Sequence, residues 1–380
     1  SRGLGDVYKR QVLMHGQASE HRIHRRRIMR HAGSMALCID KITGIRERNP
    51  MGNCLKVGIL GAGNIAGSMA EALNELQKEG KACAYAVASR SQEKALEFAR
   101  KWNITRAYSS YEELASDPEV DLIYIATPHS LHYEQAKLCM EHGKNVLVEK
   151  AFTANARQAE ELFAMAEEKK VFITEAIWTR YMPSREIITG LLREGVIGTP
   201  QILEAEFSVQ NYENPRMHDP MLCGGALLDL GVYVLTTASM YFGDHIVKTQ
   251  SSCEKYPTGV DAADEIQLTY ADGSAAQLRC SMVDKKKNCV KICGTKGYIS
   301  WESNNNPRNL ELYSPGGMLI RKITIPTQIN GYEYEVLVCR EAIRNGQREC
   351  EKMPHAETLT IMKQMDELRA QWGVKYPYDE

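Results

Sequence analysis

The chain predicts an α/β fold in two parts: an N-terminal doubly wound parallel sheet, then an α+β domain with a mainly antiparallel open sheet. Three observations carry this. Apolar strand-like runs alternate with helical repeats from Cys54 to Ala176, and a glycine turn joins the first run to the first helix. After Trp178 the alternation gives way to successive strands with turn residues between them. At 380 residues the chain also exceeds the ~250–300 at which a single core stops growing.

Each element follows from local pattern. Residues 1–53 hold the basic stretch HRIHRRRIMRH (His21–His31) without a sustained period. They are expected to be a disordered, non-core leader of translated upstream sequence, with a nucleic-acid arm or transit peptide as the other readings. LKVGIL is a strand running into Gly61, and IAGSMAEALNEL continues with helical spacing. CAYAVASR is a strand and SQEKALEFARKW a helix with Ser91 as N-cap. YEELA, HYEQAKLCMEHG and NARQAEELFAMAEEKK read as further helices, and DLIYIAT, NVLVEK and VFITEA as strands. Residues 54–176 are thus assigned to dinucleotide binding.

Residues 177–380 are assigned to substrate and dimerisation. SREIITGLLREG is a helix, QILEAEFSVQ a strand and GGALLDLGVYVLTTASMYFG one long helix. EIQLTY and SAAQLRCS flank the hairpin signal Asp272-Gly273. NCVKICG, GYISW, NLELYS and MLIRKITI are further strands, and two helices, YEYEVLVCREAIRNG and HAETLTIMKQMDELRAQWG, close the chain.

Composition narrows the partners. A formal net charge of −1 gives no reason to expect nucleic acid or an anionic membrane. The longest apolar run, Ala226–Phe242, contains Asp229 and falls short of the ~20 residues of a membrane span, so it reads as a buried helix. The 11 cysteines include no Cys-x-x-Cys pair. Cys289 and Cys293, on a strand, lie roughly 13 Å apart, too far for a disulfide. Reduced thiols in a cytoplasmic protein are expected. No histidine spacing suits a metal, and a small-molecule substrate is the expected partner.

Gly61-Ala62-Gly63-Asn64-Ile65-Ala66 fits G-x-G-x-x-G/A between a strand and a helix. Gly61 permits the tight turn, Gly63 lets a pyrophosphate approach, and Ala66 keeps helix and strand close, while Asn64 and Ile65 open the helix whose N–H groups meet the phosphates. An NAD site usually ends the second strand on an acid. Here Ser89 and Arg90 stand there instead, a hydroxyl and a guanidinium suited to a 2′-phosphate, so NADP is expected over NAD.

Glu149 and Lys150 end a parallel strand, where open α/β sheets bind ligands. Asp229 and Tyr233, spaced i, i+4, share a face of a very apolar helix. A buried aspartate needs a partner, and Lys150 is the natural one. An adjacent ammonium is expected to lower the Tyr233 pKa by ~1–3 units from ~10, making it a usable acid/base.

The ordered set GAGNIA, TPHSLH, a strand-ending EK, EAIWTRYMP and GGALLDLGVY resembles the Gfo/Idh/MocA oxidoreductase family, most closely its NADP-dependent dihydrodiol and D-xylose dehydrogenase branch. The likeness runs from Cys54 to the C-terminus and includes TGVDAADE and GTKG. It implies hydride transfer between NADP and a hydroxyl carbon of an aldose, polyol or dihydrodiol. Tyr233 would be the acid/base, assisted by Lys150, with Asp229 orienting Lys150 or a substrate hydroxyl. Thr127, Pro128 and His132 would line the cofactor, as would Glu149 and Lys150. Trp178 and Arg180 would lie at the mouth between domains and Arg216 before the catalytic helix, and Phe207 and Tyr212 would stack on a sugar. The resemblance also implies a homodimer paired through the second sheet. One departure is Ala151, where the family has the proline of Glu-Lys-Pro, which puts a cis turn there in doubt. A keto-sugar reductase using the same residues, a non-catalytic NADP-binding regulator and, more remotely, an NAD-dependent glycosidase are the alternatives.

Overall fold

Six short apolar strands form one parallel sheet: β1 (Leu55–Leu60), β2 (Ala82–Ala88), β3 (Arg106–Tyr108), β4 (Leu122–Ile125), β5 (Asn145–Glu149) and β6 (Ile173–Ala176). Their order is β3-β2-β1-β4-β5-β6, so the chain reverses direction between β1 and β4. The computed structural model describes residues 54–285 and 288–379, and the basic leader expected at 1–53 lies outside them. Burial on both faces explains why β4 reads as an unbroken apolar run.

Helices α1 (Asn64–Lys78), α2 (Gln92–Trp102), α3 (Tyr111–Ser116), α4 (His132–Glu141) and α5 (Ala156–Lys169) make the crossovers. Their starts are written in the sequence. Ser91 caps α2 by accepting the Lys94 N–H at 3.3 Å, as its position predicts. Ser110 and Glu113 form a reciprocal capping box on α3, and Asn155 caps α5.

The second sheet has eight strands: β7 (Pro200–Ser208), β8 (Ile246–Lys255), β9 (Asp261–Tyr270), β10 (Ala275–Ser281), β11 (Cys289–Gly294), β12 (Gly297–Glu302), β13 (Asn309–Tyr313) and β14 (Leu319–Thr324). The order is β14-β13-β12-β11-β7-β10-β9-β8. Neighbours run antiparallel except β7 and β10. Helix α6 (Pro183–Arg193) precedes this sheet, and α7 (Val232–Phe242) packs on β7 and β10. The long apolar run is buried as expected, but it is not one α-helix. Leu227–Gly231 forms a π-turn before α7 begins. Such turns insert a residue and recur at functional sites.

Two strands escape the sequence reading. β3 is a three-residue edge piece, and β8 is an edge strand so polar (IVKTQSSCEK) that it has no hydrophobic alternation to detect.

The last two helices, α8 (Glu333–Arg344) and α9 (His355–Trp372), return to the first sheet. The Ile173 N–H at the start of β6 donates to the Arg348 carbonyl at 3.1 Å. On α9, Asp366 accepts the Ala156 N–H at 2.8 Å, and Ser239 of α7 donates to Glu357 at 2.5 Å. Arg369, 3% exposed, donates to Asp379 at 2.7 Å, Asp366 at 2.7 Å and the Ala154 carbonyl at 3.3 Å. The final helix is therefore shared between the two halves. Replacing Arg369 with Leu strands two carboxylates and a carbonyl, and urea unfolding should show a loss of about 3–5 kcal/mol.

Candidate active site

The site begins where β1 and β4 diverge. Gly61 has φ +110°, and a Cβ there would stand 2.8 Å from the Ala126 carbonyl oxygen, so the turn requires glycine. A Cβ on Gly63 would touch no protein atom within 4 Å. The fold itself thus places no demand on Gly63, as befits a cradle kept open for a ligand phosphate. Gly63, Asn64 and Ile65 are exposed in succession, and α1 starts without a side-chain cap. Its first N–H groups are left to meet an anion. Arg90 is exposed beyond β2, with the half-buried Ser89 beside it accepting the Ser91 N–H at 3.4 Å. These residues fit a dinucleotide.

At the end of β5, Lys150 Nζ donates to the Asp229 carbonyl at 2.7 Å and to Asp229 Oδ1 at 2.9 Å. The same oxygen accepts Arg216 Nη2 at 3.2 Å and lies 3.8 Å from His129 Nε2. Burial pushes the Asp229 carboxyl upward, but the cations of Lys150 and Arg216 outweigh it and hold the group well below the usual carboxylate range. It is an anion throughout. Burial and the Arg216 cation push His129 well below the ordinary imidazole value, so it is neutral, and its Nδ1 lies 3.3 Å from the Cys223 carbonyl.

Tyr233 lies beneath this network. Lys150 Nζ stands 5.0 Å above the centre of its ring, and Phe207 meets it edge-on at 5.2 Å. The Tyr233 hydroxyl has no hydrogen-bond partner among the described residues. The expected lowering of its pKa does not occur. Burial raises it well above the ordinary phenol value, with the charges of Tyr332, Glu149 and Asp229 adding to the rise. Lys150 gives its protons to Asp229 and faces the ring, not the oxygen. Tyr233 is a neutral phenol.

Several residues assigned to ligands from the sequence are engaged within the protein. Glu149 is buried and accepts the Tyr124 hydroxyl and, at 3.2 Å, the Lys150 N–H, so it braces the strand end. His132 is fully buried, with Nδ1 2.9 Å from the Ala151 carbonyl and Nε2 2.8 Å from that of Thr127. As a neutral ring it donates its one N–H to one of these carbonyls, where the loop after β4 meets the turn after β5. Burial lowers its pKa to about 4 against the pull of those carbonyls. Arg180 is not at a mouth: it is buried, donating to Glu357 at 2.5 Å and to the Lys352 carbonyl at 3.0 Å. Thr127 donates to Gln135 at 2.5 Å, and it, Pro128 and Tyr212 are half-buried. The Lys150–Ala151 peptide is cis although no proline follows the lysine.

Trp178 rests against Tyr332 at 4.9 Å between ring centres, and its indole N–H is buried with no partner among the described residues. Tyr332 escaped the sequence reading because nothing local distinguishes it. It comes from the loop before α8, where Asn330 donates to the Ser68 carbonyl of α1 at 2.9 Å. His129, read as a cleft wall, proves to be part of the Asp229 network.

A glycine turn for a dinucleotide beside a buried lysine, aspartate and tyrosine defines a nicotinamide-dependent oxidoreductase. Residues 55–176 match the oxidoreductase family with an NAD-binding Rossmann fold, and residues 188–300 match the GFO/IDH/MocA C-terminal domain. The chain belongs to the GFO/IDH/MocA oxidoreductase family. It is 36% identical to trans-1,2-dihydrobenzene-1,2-diol dehydrogenase of Xenopus tropicalis over 85% of this chain and 99% of that one. It is 34% identical to the enzyme of that name from Mus musculus, over 86% and 99%. Among solved structures, a 3-ketoreductase from Actinomadura kijaniata bound to NADP has the same fold, with TM-score 0.76, 24% identity and coverage of 84% and 98%. An aldose-aldose oxidoreductase from Caulobacter crescentus matches at TM-score 0.76, 19% identity and the same coverage, 84% and 98%.

The buried Glu149 carries a pH signature. Burial raises its pKa to about 7, against the pull of Tyr124 and Lys150. Unfolded, it titrates near ~4.3. Between these values the folded chain holds the extra proton, so stability falls as pH rises through this window and stays lost above it. Relative to Glu149→Gln, the wild type should lose on the order of 3 kcal/mol between about pH 4 and about pH 8 in urea titrations.

Proposed function

We propose that this protein is an NADP-dependent oxidoreductase that moves a hydride between the nicotinamide and a hydroxyl-bearing carbon of a trans-dihydrodiol or sugar. The observation that carries the reading is the meeting of Lys150, Asp229 and Arg216 over the Tyr233 ring, at the end of β5, with only β4 between it and the strand that leads into the glycine turn. NADP, when bound, gives or takes the hydride. The names of the curated relatives support a cyclic diol as substrate. Ser89 and Arg90, with no acid at the end of β2, support the 2′-phosphate form over NAD.

The residues divide the work. Tyr233 in its neutral form donates its proton to the oxygen of a carbonyl as hydride arrives and is left as the phenolate; in the oxidative direction that phenolate takes the proton of a hydroxyl as hydride leaves. Lys150 supplies positive charge close to that oxygen and, with Arg216, fixes Asp229. A protonated Tyr233 also favours a second reading, reduction of a keto sugar by the same residues. The uncovered face of the second sheet, with Glu204, Gln277, Arg279 and Lys291, would seat a second copy of the chain in a homodimer of the cytoplasm.

Tyr233→Phe should lower turnover by roughly 100- to 10000-fold and leave NADPH affinity, read by fluorescence titration, within about twofold. Full turnover of a dihydrodiol or D-xylose by this variant overturns the assignment. Ser89→Asp with Arg90→Ala should weaken NADP by roughly 10- to 100-fold while sparing NAD, measured as the ratio of kcat/KM for the two cofactors.

A further inference from the structure

We infer that Asp261, paired with Asp264, seats the π-turn that carries Asp229 and is a positioning residue for the reaction proposed above, on which the kinetic half of this inference rests. The segment TGVDAADE places both aspartates at the start of β9, and both are fully buried. All four residues Asp261–Asp264 are buried, against the alternation that the rest of β9 follows. Burying two carboxyls costs stability unless they are bonded, so the contacts they make are informative.

Those contacts lie at both ends of the π-turn. Asp261 Oδ2 accepts the N–H of Leu227, the first residue of the turn, at 2.5 Å. Gly225, which leads into it, has φ +130°, and a Cβ there would come within 2.3 Å of Asp261 Oδ1. The backbone thus enters the turn pressed against this carboxyl. At the last residue, a Cβ on Gly231 would stand 3.1 Å from Cys280 Sγ. Cys280 in turn donates to Asp264 Oδ2 at 3.1 Å. Burial pushes both carboxyls up, and the charge of Asp261 raises Asp264 further. Oδ1 of each is buried with no hydrogen-bond partner among the described residues.

Asp229 is midway between these anchors. It meets Lys150 through its backbone carbonyl as well as its side chain, so a shift of the turn moves both acceptors at once. A seat that fixes Leu227 and Gly231 therefore fixes the placement of Lys150 over Tyr233. The alternative is that the acid pair merely fills the core beneath the sheet, with no effect on turnover beyond stability.

The test compares Asp261→Ala, Asp261→Asn and Asp264→Asn by steady-state kinetics, NADPH titration and hydrogen exchange of the peptide covering 225–232. Asp261→Ala should lower kcat on the order of 100-fold, leave NADPH affinity within about twofold, and speed exchange in that peptide. Asp261→Asn keeps an oxygen for the Leu227 N–H, and Asp264→Asn mimics a protonated acid, so both should stay within about fivefold of wild-type kcat. A folded, NADPH-binding Asp261→Ala with kcat within about twofold of wild type overturns the inference. So does an Asp261→Asn that is as slow as the alanine variant. If Asp261→Ala does not fold, Cys280→Val, which crowds Gly231, must reproduce the kcat loss with NADPH affinity kept, and its failure to do so overturns the inference. Should the wild type turn over no alcohol or ketone, the proposed function falls, but exchange still decides the seat: unchanged protection at 225–232 in Asp261→Ala removes it.

Discussion

A buried ammonium–carboxylate contact between Lys150 and Asp229 is the interaction around which the protein is organised. Each ion would cost several kcal/mol to take out of water alone, and attraction in the interior offsets this only when the remaining hydrogen-bonding capacity is met. Asp229 meets it with Arg216, which donates to the same oxygen at 3.2 Å. Lys150 meets it by binding both the carboxylate and the backbone carbonyl of the same residue. Because one ion follows a strand of the first sheet and the other sits on a turn packed against the second, neither domain can complete the pair alone.

The elements around the pair follow from that constraint. His132 is buried between the loops after β4 and β5, donating its one N–H to a carbonyl of one of them. Glu149 and Tyr124 brace the strand end from below. The π-turn lets the helix present Asp229 without losing the burial of its leucines. The same dry surroundings that strengthen the ion pair keep Tyr233 protonated. Electrostatic fixation and proton retention thus share one physical origin.

Much of this was legible in the sequence. Strand–turn–helix order, the glycine turn, the caps at Ser91 and the pairing of Lys150 with Asp229 follow from periodicity, backbone sterics and the cost of an unpaired buried acid. What was not legible depends on surroundings that no local pattern encodes. Glu149 and His132 sit in ligand-like positions along the chain, yet each is absorbed by a partner from another loop or strand. Arg180 reads as a cleft residue until α9, almost two hundred residues later, supplies Glu357. The Tyr233 proton depended on whether Lys150 faced its oxygen or its ring, a matter of a few ångströms. The edge strand β8 has no apolar face to announce it.

The return of the C-terminal helices has a consequence for how the molecule is made. β6 receives a backbone partner from Arg348, and α5 is covered by α9, so the outer margin of the dinucleotide half is finished by residues that come after the second sheet in the chain. A nascent chain that has emerged only as far as β6 exposes that margin to water, and the apolar side of α5 remains a surface for chaperones to hold. The first sheet is thus closed only once the second has been translated.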